Sequence, residues 1–341
     1  MAKHRTSLKD LAQQLGVSIA TVSRALHSSP EIGKDMQERV KALAKQLNYR
    51  PNPFAQSLRK EAPKVIGVVV PNLVTHYYAA VLDGIEAEAR DEGYSVISAN
   101  THEDCHNEQV AIDNFIGLHV VGIIACLAQN TTDYSHFEEI SRMGIPLVFF
   151  GRTCLTEKFS CVTANGDEAA QQATQHLIDT GSRRIAFIGG PNHLDMVRRR
   201  KHGYLEALRE NRINIDRELV VCDAIDYDVA LRNTTALLQR SNRPDAIVAF
   251  NDILLFAAFN AIKQQGLNIP DDVAIIGFTD DAHAQYTTPR LSAIEDQSFK
   301  MGQTACRLLL DSIAGNQKVR HEIVPQKLVI RETSAKHCKD N

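Results

Sequence analysis

Two rhythms of apolar residues divide the chain. Over the first fifty positions they recur every three or four residues. Leu8, Leu11, Ala12 and Leu15 mark one helical face, Gly16-Val17-Ser18 interrupts, and Ala20, Val22, Ala25 and Leu26 resume on a second short helix. Gly16 can take the positive φ that leaves the first helix, and the Ser18 hydroxyl can accept an orphan backbone N–H at the start of the next. Ile19, Thr21, Ser23 and Arg24 then fall on or near the outer face of the second helix. After a loop punctuated by Pro30 and Gly33, the positions Met36, Val40, Leu43, Ala44 and Leu47 predict a third helix over 34–47. Asn48-Tyr49-Arg50-Pro51 ends it, because the residue before a proline avoids helical backbone. Three such helices can close a small core with Tyr49 as its lid, and the first two, joined by a tight turn, read as a helix-turn-helix.

The second rhythm begins at Val65. Short unbroken apolar runs alternate with amphipathic segments: VIGVVVP (65–71), a helix near 77–93, YSVISAN (94–100), a helix near 107–118, VVGIIAC (120–126), a helix near 134–143 and PLVFFGR (146–152). A helix at 166–180 leads to RIAFIGG (184–190), a helix at 197–211, a strand at 219–222, a helix at 227–240, AIVAFND (246–252), a helix at 253–265 and VAIIGF (273–278). A short crossing near 291–295, a helix at 298–314 and one last strand, IVPQKLVI (323–330), complete the chain. Strands that are apolar throughout and alternate with helices imply parallel sheets covered on both faces. Two sets of such units predict an α/β body of two doubly wound lobes with a ligand cleft at the carboxyl ends of the strands. Between head and body, Asn52 and Pro53 can start a helix of one or two turns over 54–60, too short to stand alone in water.

Composition adds little until it is divided. The 341 residues are 44% hydrophobic and 23% charged with a net charge of −3, as in an ordinary globular protein of two or three domains. Residues 1–60, however, hold eleven Lys or Arg against four acids, a net +7, which leaves −10 for the remainder. A basic head on an acidic body suits a chain whose head alone meets a polyanion. The seven cysteines are scattered without a CxxC pair, which reads as free thiols in a reducing compartment. No signal-like or membrane-spanning apolar run is seen, so a cytoplasmic, nucleoid-associated protein is expected.

The head carries K-D-L-A, then G-V-S-x-x-T-V-S-R-x-L, then N-Y-R-P-N-x-x-A-x-S-L. The body carries Gly84-Ile85-Glu86, Gly144-Ile145-Pro146, His176-Leu177, Arg200 before Gly203-Tyr204, Asn251-Asp252, Ile269-Pro270-Asp271-Asp272-Val273, Gly277-Phe278 and Pro289-Arg290-Leu291. In these motifs the chain resembles the LacI/GalR family of bacterial transcription repressors over essentially its whole length. The resemblance implies a helix-turn-helix domain (1–51), a hinge helix and linker (52–63), and a periplasmic-binding-protein-like effector and dimerisation domain (64–341). Its lobes would comprise about 64–164 with 294–321, and about 165–293 with 322–341.

For DNA, the resemblance places the second helix in the major groove of a near-palindromic operator, read by a homodimer, with Ile19, Ala20 and Arg24 at the base-reading positions. Arg24 can grip O6 and N7 of a guanine, whereas Ile19 and Ala20 offer only shape and contact with thymine methyl groups. Ser18, Thr21, Ser23 and Asn52 are candidates for phosphate contacts, which position without specifying. In the hinge, Leu58 matches the family's minor-groove wedge, set between Ala55 and the cations Arg59 and Lys60.

For an effector, the resemblance points to a sugar or sugar derivative between the lobes. Tyr77 and Tyr78 would supply aromatic faces, Arg200 a donor from the second lobe, and Asn251 and Asp252 polar groups at a strand end. Relatives commonly place acids where this chain has Gly151, Asn165 and Thr279, the last followed by Asp280 and Asp281; Thr279 and Asp280, with Arg152, join the candidate effector-binding residues. Few acids beside Arg200, with Arg152 nearby, leave room for an acidic or phosphorylated sugar.

The run Arg198 to Lys201 reads as a solvated helix face around Arg200. The cluster THEDCHNE (101–108) is too consecutive to surround one metal ion and reads as a polar loop. No nucleophile elbow, Walker loop or dinucleotide fingerprint suggests an enzyme, and no cofactor is implied. A solute-binding receptor fits the body but not the basic head. A regulator answering to a protein corepressor also fits both.

Overall fold

A computed structural model describes residues 6–47, 49, 64–280 and 282–335. The chain separates into two compact units, 1–63 and 64–341.

The first unit contains three helices, α1 (Leu8–Leu15), α2 (Ile19–Leu26) and α3 (Lys34–Gln46). A capping box opens α1: the Ser7 hydroxyl accepts from Asp10 N–H at 3.3 Å, and Asp10 accepts from Ser7 N–H at 2.7 Å. Gly16 closes the helix at φ 65°, the left-handed backbone that its missing Cβ allows. Ser18 caps α2 through Thr21 N–H at 3.1 Å. Leu11, Val22, Ala25 and Val40 are wholly buried at the centre, and Tyr49 packs against them as its position after α3 predicts.

The second unit holds two six-stranded sheets. Its elements are β1 (Val65–Val70), α4 (His76–Asp91), β2 (Ser95–Asn100), α5 (Cys105–Gly117), β3 (Gly122–Ala125), α6 (Ser135–Arg142), β4 (Leu147–Phe150) and β5 (Ser160–Ala164). Then come α7 (Gly166–Asp179), β6 (Ile185–Gly189), α8 (Asp195–Glu210), β7 (Val220–Cys222), α9 (Tyr227–Leu238), β8 (Ala246–Ala249), α10 (Asp252–Gln264) and β9 (Ala274–Phe278). The last are β10 (Ser292–Glu295), α11 (Ser298–Ile313), β11 (His321–Val324) and β12 (Lys327–Val329). The first sheet runs β11-β5-β4-β3-β1-β2 and the second β12-β10-β9-β8-β6-β7. These are the two doubly wound lobes that the alternating pattern predicts.

Three details differ from that pattern. β5 has no counterpart in it, because SCVTA mixes Ser and Thr among its apolar positions and lacks the continuous run that marks β1, β3, β4, β6, β8 and β9. The expected last strand is two: Pro325 and Gln326 interrupt it, so β11 joins the first sheet and β12 the second. β12 also pairs antiparallel with β10, which gives the second sheet one antiparallel edge, and the short crossing expected at 291–295 is itself the strand β10. The chain therefore passes between lobes after β5, after β10 and after β11. Close helix crossings brace both lobes. A Cβ at Gly302 on α11 would lie 2.0 Å from the Val81 carbonyl oxygen on α4, and one at Gly203 on α8 would lie 1.9 Å from that of Asp167 on α7. Only glycine admits backbones this near each other.

Candidate functional site

The outer face of α2 offers Ile19, 45% exposed, beside the capping pair Ser18 and Thr21, whose hydroxyls lie 2.9 Å apart. Ala20 is half-buried. Arg24 projects into solvent within 3.3 Å of Glu31, an exposed pair whose loss costs at most about 1 kcal/mol. Its guanidinium can therefore be drawn to another acceptor at little cost. Ser23 departs from expectation: it is buried, not on the outer face. It lies between Val22 and Ala25, both wholly buried, and is small enough to turn with them toward the core. Asn52, Ala55, Leu58 and Arg59 lie outside the described residues.

In the second unit a cleft opens where both sheets present their strand carboxyl ends. It has two adjoining chambers of about 150 and about 420 Å³, which share Tyr77, Gln129, Arg152, Leu194, Met196, Arg200 and Asp296. Tyr77 and Tyr78, in the first turn of α4, stand edge to face with ring centroids 5.0 Å apart. Burial pushes both phenols well above their ordinary range, so they stay neutral. The Tyr77 hydroxyl donates to Met301 Sδ at 3.0 Å. Asn251 caps α10 by accepting from Leu254 N–H at 3.1 Å, and with Asp252 it lines the smaller chamber.

Each guanidinium of the cleft wall faces a carboxylate. Arg152 makes a two-pronged pair with Glu103, at 2.6 and 2.9 Å, and also donates to the Leu127 carbonyl at 3.0 Å. Arg200, 3% exposed, donates to the Phe250 carbonyl and, at 2.6 Å, to Asp296 Oδ1. Its guanidinium lies 3.6 Å from the ring centroid of Phe278 and 4.9 Å from that of Phe250. Burial pushes the Asp296 carboxyl up to about 6; Arg200 opposes the rise, and Asp280 adds to it.

Expectation and structure part at three places. Thr279 is buried outside the cleft lining. Asp280 does not line the cleft either: its carboxylate accepts from Ser298 N–H at 2.7 Å, Ser298 Oγ at 2.6 Å and Gln297 N–H at 3.2 Å, holding the start of α11. The orphan N–H groups of a helix N-terminus compete well for a nearby anion. Acids are also not scarce beside Arg200, because Asp296 sits on it. The sequence reading missed Asp296, Glu103 and Gln326. Of these, only Glu103 lies in a segment that the sequence singles out, the polar cluster 101–108. That cluster diverges here, Glu103 turning to Arg152 while Asp104 caps α5. Arg198 and Arg199 pair with Asp195, all three exposed at the rim of the larger chamber. Among the described residues, no helix is long and apolar enough to cross a membrane.

Comparisons with known proteins cover both units. Residues 7–52 match the family described as bacterial regulatory proteins, lacI family, and residues 174–334 match the periplasmic binding protein-like domain. The ribose operon repressor of Bacillus subtilis (strain 168) is 32% identical over 331 residues, 97% of this chain and 99% of that protein. The probable HTH-type transcriptional repressor ExuR of the same organism is 33% identical, over 90% of this chain and 92% of that protein. Among solved structures, the lac repressor dimer bound to operator and the anti-inducer ONPF superposes with a TM-score of 0.85 at 24% identity, covering 98% of this chain and all of that one. The transcriptional regulator CelR–cellobiose complex gives 0.73 at 28% identity, over 96% of this chain and all of that one.

Proposed function

The chain belongs to the LacI family of bacterial transcriptional regulators, and on that premise we propose that it binds a near-palindromic operator as a homodimer under the control of a sugar-like molecule held between its lobes. It is a DNA-binding repressor of transcription, acting in the cytoplasm at the nucleoid. α2 reads the major groove, with Arg24 on a guanine and Ile19 and Ala20 against methyl groups, while Ser18 and Thr21 face phosphates. The hinge residues Asn52, Ala55, Leu58 and Arg59 act at the operator centre, Leu58 as the wedge between base pairs.

The observation that carries the effector half is the cleft itself, where aromatic walls from Tyr77, Tyr78 and Phe250 meet the polar groups of Arg200, Asp296, Asn251 and Asp252. Flat apolar faces beside convergent donors and acceptors suit a ring with CH faces and hydroxyls. Relatives named for ribose and cellobiose support the same reading. The mechanism is a two-state dimer in which the effector acts through its different affinity for two lobe arrangements, one of which lets the paired hinges fold on DNA.

Gel-shift titration against the chain's own upstream region, with and without a panel of sugars, tests both halves. Specific binding that a sugar shifts supports the reading. Specific binding that answers only to added cell protein replaces the sugar with a protein corepressor. Arg24→Ala should relax discrimination at one base pair in each half-site by about 1–3 kcal/mol, measured with operator variants. An unchanged preference would remove Arg24 from base reading.

A further inference from the structure

Asp296 stands where the chain changes lobes, and it is linked to the other two crossings. Gln326, between β11 and β12, donates its backbone N–H to Asn165 Oδ1 at 2.8 Å, just before α7. Its side-chain Nε2 donates to Asp296 Oδ1, the same oxygen that accepts from Arg200. Only the nitrogen of the amide can donate, so it must face the carboxylate. That turns Gln326 Oε1 away, buried and without a hydrogen-bond partner. A Cβ at Gly166, which lines the larger chamber, would lie 3.8 Å from this oxygen and 3.4 Å from Arg200 Cγ. The amide thus sits behind Gly166, outside the lining of both chambers, and braces Asp296 from that side.

We propose that Asp296 is the specificity-determining residue of the cleft: braced by Gln326, it accepts hydroxyl protons from an uncharged polyhydroxyl ligand and excludes the anionic counterpart of that ligand. The inference deepens the small-molecule reading above and rests on it. It reverses the preference for acidic or phosphorylated sugars suggested by the residues at 151, 165 and 279.

The reasoning is electrostatic. An anion that took Arg200 would leave a buried carboxylate without its counter-charge and facing a second negative group. Asp280 and Asp252 already oppose its ionisation, and Tyr77, facing it across the cleft, supplies no positive charge. A buried charge stripped of its partner is among the costlier defects in a protein. Arg152 offers no alternative, since Glu103 occupies both prongs of its guanidinium, and Arg198 and Arg199 at the rim of the larger chamber already share the carboxylate of Asp195. A hydroxyl group, by contrast, can accept from Arg200 and donate to Asp296 with the ion pair intact. The carboxylate that strand β9 does not bring to the cleft is in this way supplied by the lobe crossing.

The test uses calorimetry on the full chain with D-ribose, D-glucose and cellobiose, each beside its charged counterpart: ribose 5-phosphate, D-glucuronate and glucose 6-phosphate, and cellobionate. The expected result is that one uncharged sugar binds and its charged counterpart binds at least about thirtyfold more weakly, as for sites that leave buried polar groups mismatched by the wrong ligand. Asp296→Asn should weaken the uncharged sugar by about tenfold and strengthen the charged one, a swap that general loss of structure would not produce. If that variant does not fold, Gln326→Leu carries the test, because it removes the amide that braces Asp296 Oδ1 and keeps the ion pair; unchanged affinity for the uncharged sugar would overturn the proposal. Tighter binding of a charged member to the natural chain overturns it too and leaves the small-molecule reading standing. Binding of none overturns both.

Discussion

Two of the arginine–carboxylate pairs that line the cleft have the same chemistry and different character. Arg152–Glu103 is two-pronged, is made within the first lobe by the loops that follow β4 and β2, and leaves its side chains 14% and 22% exposed. Arg200–Asp296 meets at one oxygen, is 3% and 10% exposed, and joins a helix of the second lobe to a lobe crossing. The difference in burial separates what each can contribute. A partly wet, well-aligned pair holds a wall in place at small cost. A buried pair with one contact recovers little beyond its desolvation, so its value lies in what else it constrains. Here it constrains the crossings, through Gln326 and Asn165. A ligand that engages Arg200 and Asp296 therefore touches the groups that set how the lobes meet, whereas one that engages Arg152 and Glu103 touches one lobe only.

Removing one partner should separate the pairs most sharply. Arg200→Ala strands the Asp296 carboxylate and should cost about 3–5 kcal/mol in urea unfolding at pH 7.5. The same variant should lose its response to effector while it still binds operator. A loss under about 1 kcal/mol would mean that the carboxylate finds water and that the two pairs are alike.

The pH dependence of stability comes next. The Asp296 carboxyl lies at about 6 in the folded chain against an ordinary 3.8. Between those values the folded state holds a proton that the unfolded state has lost. This residue's contribution therefore falls as pH rises from 4 to 6 and is flat above 7, by roughly 3 kcal/mol in all. Asp296→Asn should remove that slope from denaturation curves taken across this range. The same slope in the variant would assign it to other groups. The smallest effect is expected at the wetter pair, where Glu103→Gln should cost about 1 kcal/mol and leave the slope near pH 6 in place.

How much of this was legible in the sequence depends on what kind of signal each part left. The inner strands β1, β3, β4, β6, β8 and β9 announce themselves as apolar runs, because parallel strands covered on both faces need little else. β5 does not, and the division into β11 and β12 turns on Pro325 and Gln326, whose partners are distant in sequence. Tyr77, Arg200 and Asn251 could be placed in the cleft because a strand end or a motif puts them there. Asp296 could not, since nothing in SAIEDQSF distinguishes a buried acid from a solvated one. Its burial arises only when three crossings converge. Asp280 misled for the converse reason: it follows a cleft strand, but the start of α11 lies close enough to claim it. At the head, helical spacing placed Ser23 on the outer boundary of α2, and packing turned it inward.

The most direct measurement is a titration of a labelled upstream DNA fragment with the full chain, followed by fluorescence anisotropy, with and without the sugar that calorimetry selects. The natural chain should bind the fragment specifically and change its affinity by at least about tenfold when the sugar is added, within the usual range of coupling between distant sites, while Arg200→Ala binds the fragment equally well with and without sugar. A full shift in Arg200→Ala, or no specific binding by the natural chain, would contradict a DNA reader switched from the cleft.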